Sequence, residues 1–187
     1  MRAVTYSMGV SADGFITDAD GGIGWTTPSP EVFRSSIDEI KRVGVHLMGR
    51  KLYETMLFWE TADQNPDLDD AEREWASLWN PLPKVVFSRT LSAVEGKARL
   101  ATGTVAEEIA RLREEAVDTD IAIGGAELAA EAAAAGLIDE YWVRYIPEII
   151  GGGTPFHARG LPQVHLELVE TRTFSPGVVF MRHRVKR

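Results

Sequence analysis

Three short apolar runs constrain this chain more than any other feature. Val45-His-Leu-Met48 is followed by Gly49-Arg50-Lys51, Lys84-Val-Val-Phe87 by Ser88-Arg89-Thr90, and Asp120-Ile-Ala-Ile123 by Gly124-Gly125-Ala126. Short runs rich in β-branched residues and bounded by Gly or Ser read as buried strands. Helical stretches follow the first and third, Gly49 to Met56 and the Ala-rich Glu127 to Ala135, which Gly136 caps. Strands alternating with helices require crossover connections, and crossovers produce parallel pairing.

The other segments extend this pattern. Val4 to Val10 reads as a first strand and Ser11 to Gly14 as a turn. Thr17 to Pro30 is a long Gly- and Pro-rich loop around Trp25, of a length typical of binding loops. Pro30 to Val43 is predicted helical, with Val32, Phe33, Ile37, Ile40 and Val43 on one face and Gly44 at its end. Asp63 to Asp70 is an acidic connection and Ala71 to Trp79 a short helix. Val105 to Ala116 is helical, with Glu107, Glu108, Arg111 and Arg113 on a solvated face. Tyr141 to Ile146 is a strand and Gly151 to Gly153 a flexible turn. Val164 to Thr173 and Val178 to Val185 pair as a hairpin about Ser175-Pro-Gly177. The expected fold is one α/β domain over residues 1–187, with a mixed, mostly parallel sheet finished by an antiparallel hairpin.

Composition narrows the function classes. With 187 residues, 44% of them hydrophobic, the chain can bury a full core without staples. It has no cysteine, which removes disulfides and thiolate metal sites and suits a reducing cytoplasm. A net charge of −8 argues against nucleic-acid and anionic-membrane surfaces. No apolar run reaches signal-peptide or membrane-span length. A soluble, cytoplasmic protein acting on a small molecule is the expectation.

The strand ends carry the chemistry. A helix N-terminus offers unpaired N–H groups and partial positive charge to an anion. Glycine lets a ligand approach the backbone, and arginine supplies a planar fork for phosphate oxygens. Strand ends of open α/β sheets line the ligand crevice. Any one of these segments alone is an ordinary turn with a surface charge; three in series point to an extended phosphorylated ligand. Other patterns are missing. No G-x-G-x-x-G follows the first strand, and there is no P-loop and no G-x-S-x-G. His46, His157, His165 and His183 lack metal-ligand spacing, so no metal is expected, and His46 in its strand reads as structural.

Taken together, these blocks resemble the dihydrofolate reductase superfamily, nearest to the branch containing the reductase domain of the bifunctional riboflavin-biosynthesis enzyme, the RibD C-terminal domain. The carriers are Ser11-Ala-Asp-Gly-Phe-Ile16, Met48-Gly-Arg-Lys-Leu-Tyr-Glu54, Val85-Val-Phe-Ser-Arg89, Ile121-Ala-Ile-Gly-Gly-Ala126 and Ile146-Pro-Glu-Ile-Ile-Gly-Gly-Gly153. The resemblance spans Val4 to about Val185. It implies a central eight-stranded sheet, NADPH as cofactor and a homodimer. It implies that Gly49, Arg50 and Lys51, flanked by Met48, meet the adenosine-side phosphates. Ser88, Arg89 and Thr90 would hold the 2′-phosphate region. Ile123, Gly124, Gly125, Ala126 and Glu127 would face the pyrophosphate and nicotinamide. The loop from Asp18 to Thr27 would close over the ring, with Trp25 beside the substrate. Met8 and Phe33 read as core residues with one edge on the pocket.

The sequence also departs from true dihydrofolate reductases. Pro28 is in place after Trp25, but Pro30 stands where the pterin-gripping acid belongs. Glu31, one residue on, is the one candidate catalytic acid, and the helix dipole alone accounts for an acid there. Leu52 replaces a phosphate-binding hydroxyl, Ala129 an expected tyrosine, and Glu127 adds a negative charge near the phosphates. The expected activity is therefore NADPH-dependent reduction of a small pterin-like or pyrimidine-like heterocycle. The alternatives are a cofactor-binding protein without reductase chemistry and an interaction protein without a nucleotide.

Overall fold

The computed structural model describes residues 2–187, with Asp63 described by its backbone alone. Alternating Val4, Tyr6 and Val10 against Thr5, Ser7 and Ser11 gives a strand with two unlike faces, β1 (Val4–Ser11). After the short β2 (Phe15–Thr17) the chain forms α1 (Pro30–Ile40). Pro30 suits the first helical position, and the Ser29 hydroxyl accepts from the Val32 N–H. Next come β3 (Val43–Gly49), α2 (Arg50–Met56) and α3 (Asp70–Trp79), the last opened by a capping box between Asp69 and Glu72. Then follow β4 (Lys84–Phe87), β5 (Ala98–Leu100), α4 (Val105–Glu114), β6 (Asp120–Gly124) and α5 (Ala126–Ala134). The chain closes with β7 (Glu140–Ile146), β8 (Thr154–Pro155), β9 (Leu166–Phe174) and β10 (Val178–Val185).

Eight strands form one sheet in the order β5-β4-β3-β6-β1-β7-β10-β9. Pairing is parallel from β5 to β7, and β10 runs antiparallel to both its neighbours. Strands β2 and β8 form a separate antiparallel pair. From β1 the chain lays β3, β4 and β5 towards one edge, then returns to place β6 between β3 and β1. The direction of winding changes beside β1, so the strand ends of β1, β3 and β6 border a crevice.

Register divides the sheet into two unlike faces, because paired residues project the same way and alternate along each strand. Lys84, His46, Ala122, Thr5 and Glu140 share one row and one face. The opposite face carries Val4, Tyr6, Val45, Leu47, Val85, Ile121, Ile123, Tyr141 and Val143, packed with Ile109 and Leu112 of α4 and Leu128, Ala129, Ala132 and Ala133 of α5. The alanines of α5 permit close approach to that face.

Several sequence expectations change. The helix ends at Ile40, not Val43, because Val43 already pairs with Asp120 and opens β3, with Gly44 at an irregularity in the register. Gly44 is a close-packing position: a Cβ there would lie 1.9 Å from Thr119 Oγ1. Glu108 is buried, not solvated. Arg99 binds both its oxygens, and Arg111 and the Thr102 N–H add bonds, holding the carboxyl down at about 2. The Gly151–Gly153 turn is tied at two points. The Gly151 N–H donates to Asp13 Oδ2 at 2.8 Å, and Gly153 abuts Thr17 so closely that a Cβ would meet its carbonyl oxygen at 1.8 Å.

Candidate functional site

The expected phosphate-binding residues converge at one rim. Gly49 ends β3 and opens α2 without a side-chain cap, and Gly125 opens α5 likewise, so both first turns present free N–H groups. Gly49 and Gly124 end neighbouring strands, and a Cβ built on Gly125 would lie 3.9 Å from the Gly49 nitrogen. Gly125 has φ of +93°, a conformation that side chains oppose. No atom lies within 4 Å of a Cβ on Gly49, which leaves that backbone open to a ligand. Exposed Arg50, Lys51 and Arg89 surround the rim, and Arg50 is loosely paired with Glu54 at 3.7 Å. The Ser88 hydroxyl accepts from the N–H groups of Thr90 and Leu91, forming the turn that carries Arg89 outwards. Glu127 is exposed in the first turn of α5, where its charge complements the helix dipole. Uncapped N–H groups, an open glycine and three surrounding cations fit a dinucleotide's phosphates.

Gly124 is glycine for a second reason. A Cβ there would meet Leu52 Cδ2 at 2.2 Å and His46 Cε1 at 2.8 Å. Leu52, where a hydroxyl was expected, thus packs under the strand end instead of facing a phosphate.

Beside Gly124 a cavity of about 380 Å³ runs between the polar sheet face and helices α1, α2 and α3. Its roof is Ile23 and Thr26 to Pro28; its floor includes Ser7, Gly9, Ala122, Ile123 and Gly124; Met56, Trp75 and Trp79 close one side. The cavity therefore reaches the rim of glycines and cations at Gly124. Met8 lines it. Trp25 lies on the short turn Gly24–Thr26 and is not on the wall, and its enclosed Nε1 has no partner among the described residues. Phe33 is also off the wall: its ring packs against Trp59 and Trp75, with centroids 6.4 Å and 5.8 Å away.

Glu31 points elsewhere too. Its carboxylate accepts from the Ser175 N–H at 3.0 Å and braces the β9–β10 turn. The titratable groups on the cavity wall are Glu39, His46 and Arg144. Glu39 and Arg144 form an ion pair, and Arg144 also donates to Ser7 Oγ at 3.1 Å. Burial pushes the His46 imidazole down to about 4, so the ring is uncharged at neutral pH. It meets Trp79 edge-on, with centroids 5.6 Å apart. Behind Trp79, Lys84 is buried, donating to the Trp79 carbonyl and pairing with Glu60, each at 2.8 Å; burial lowers its pKa. Sequence reasoning missed Ser7, Glu39 and Arg144. An arginine inside Tyr-Trp-Val-Arg-Tyr and the period-two polar positions of β1 were the available signals.

Residues 2–180 match the RibD C-terminal domain. The chain belongs to the RibD C-terminal domain family. The uncharacterized protein YyaP of Bacillus subtilis (strain 168) is 30% identical over 178 residues, covering 95% of this chain and 92% of that one. The fold is that of a candidate riboflavin biosynthesis protein from Shewanella sp. PV-4, with a TM-score of 0.78, 22% identity and full coverage of both chains. It is also that of a diaminohydroxyphosphoribosylaminopyrimidine deaminase/5-amino-6-(5-phosphoribosylamino)uracil reductase from Thermotoga maritima, at TM-score 0.67 and 16% identity. That match spans 99% of this chain and 57% of that longer one. Within this RibD-type fold, the rim and the cavity meet at Gly124.

Proposed function

We propose that the protein is an NADPH-dependent reductase of a small pyrimidine-like or pterin-like heterocycle, distinct from a true dihydrofolate reductase. The observation that carries this is the junction at Gly124, where a cavity sized for one heterocycle opens onto a rim of uncapped helix starts and arginines. Gly49, Arg50 and Lys51 would hold the adenosine-side phosphates, Ser88, Arg89 and Thr90 the 2′-phosphate, and Ile123 to Glu127 the pyrophosphate and nicotinamide. NADPH supplies a hydride when bound, and the protein supplies orientation and exclusion of water. Titration with NADPH, followed by energy transfer from tryptophan, is expected to saturate. No binding at millimolar cofactor rejects the reading.

One observation favours a second reading, a cofactor-binding protein without reductase activity. The cavity's carboxylate, Glu39, is committed to Arg144, and Glu31 lies outside. NADPH binding without oxidation across a panel of pyrimidines and pterins would support it; turnover on any member would exclude it. We also propose a soluble cytoplasmic homodimer. Edge strand β9 exposes Leu166, Leu168 and Val169 beside Val164, a surface suited to a second copy. Light scattering of the native chain and of Leu168→Lys tests this, with a monomer expected for the variant.

A further inference from the structure

We propose that His46 is a specificity-determining residue of the cavity, whose imidazole hydrogen-bonds through Nε2 an uncharged planar heterocycle carrying a carbonyl or ring-nitrogen edge. This rests on reading the cavity as the substrate site. Three observations converge on it. Glu39 and Arg144 form an ion pair, with Arg144 Nε left enclosed and unpartnered, and His46 is the titratable group on the wall that makes no ion pair among the described residues. Its Nδ1 is enclosed and unpaired, whereas Nε2 is not among the enclosed, unpartnered nitrogens. Nε2 is therefore the nitrogen a ligand edge can reach, and its desolvation by an entering ring is costly unless that ring pairs with it.

Position is the second observation. The imidazole leans into the space that Gly124 leaves free: a Cβ there would stand 3.6 Å from Nε2. His46 therefore faces the junction of cavity and rim. The third is rigidity. Trp79, only 2% exposed, meets the ring edge-on and lies 6.0 Å from the nearly parallel Trp75, so the inner wall is fixed and aromatic. Burial keeps the imidazole neutral, so it offers one donor or acceptor and no charge. A cationic ring gains nothing there, and an uncharged amide-like edge matches it.

The probe is 5-aminouracil, added to the full chain with and without saturating NADPH. Binding is read by quenching of Trp75 and Trp79 and by the imidazole ¹⁵N resonances of the four histidines, with the His46 signal assigned by its loss in His46→Gln. The His46 Nε2 resonance is expected to move on titration while the other histidines stay fixed. His46→Leu is expected to weaken the probe about tenfold, the equivalent of one hydrogen bond, and His46→Gln to recover most of that loss. An unmoved His46 signal at saturating quench overturns the proposal, and so does undiminished binding by His46→Leu. Absence of quenching at millimolar probe also overturns it; NADPH binding retained in that sample leaves the reductase reading standing. The resonance is read on the unsubstituted chain, so the test survives a His46→Leu protein that fails to fold.

Discussion

The two faces of the sheet are built on opposite principles. Under α4 and α5, Val4, Val10, Leu47, Ile121 and Ile123 are at most 1% exposed and belong to one apolar cluster with residues of both helices. Under α1, α2 and α3 the same strands present Ser7, His46, Lys84, Ala122 and Arg144, and helix and sheet stand apart around a cavity. One face secures the fold, since apolar burial contributes about 25 cal/mol per Å². The other encloses polar groups, each of which must be paired or bear the cost of its desolvation. Core packing and cavity lining are thus separated by the period-two alternation of the strands.

That separation breaks first under truncation of the apolar face. Ile121→Ala is expected to lower unfolding stability by about 4 kcal/mol, since it empties a fully packed site. Met56→Ala, on the cavity wall, is expected to cost about 1 kcal/mol, because space is already present there. Equal losses in urea unfolding would erase the distinction. Acid tests the polar face next. The folded state holds His46 at about 4 against 6.5 for the free side chain, so between those values the unfolded chain binds the extra proton. Stability rises with pH through that window and is complete above it, with a slope of at most about 1.4 kcal/mol per pH unit. The difference between the native chain and His46→Gln is expected to show this slope, and a flat difference removes the buried imidazole from the account.

The apolar face was legible in the sequence because its signal is local. Val4, Tyr6 and Val10 alternate, and Ala-rich α5 announces itself. The rim of glycines and arginines was legible because Gly49-Arg50, Ser88-Arg89 and Gly124-Gly125 each follow a strand directly. The cavity was not, because its wall is assembled from residues far apart in sequence. Ser7, Glu39 and Arg144 meet only once β7 pairs with β1 and α1 crosses above them. Glu108 looked solvated because an acid on a helix usually is; its partners, Arg99 and Thr102, come from the segment before the helix. Gly44 looked like a helix stop because nothing local reveals that Thr119 lies against it.

Within the polar face, Glu39→Gln leaves Arg144 enclosed without its counter-charge. Their side chains are 18% and 10% exposed, so the loss is expected at about 2 kcal/mol, below the ~3–5 kcal/mol of a fully buried pair. Urea unfolding of Glu39→Gln beside Glu39→Gln/Arg144→Met measures it. Recovery of stability in the double variant would show that the isolated charge, and not lost packing, is responsible.

The rim should respond in the reverse manner. Arg50 is about half exposed and its one ion pair is long, so Arg50→Ala is expected to change unfolding stability by less than about 0.5 kcal/mol. Arg89, exposed on its turn, should behave likewise. Each substitution removes a fork for a phosphate and is expected to weaken NADPH about tenfold, roughly 1.4 kcal/mol, with losses that add because the two arginines follow different strands. Raising the salt concentration should shrink both effects, since exposed charges are screened over about 10 Å at 0.1 M. A double variant that keeps its NADPH-induced thermal shift would mean that the strand-end arginines are surface charges and the dinucleotide lies elsewhere. A double variant that loses the shift while melting at the native temperature would put binding and stability on separate residues, as the two faces of the sheet require.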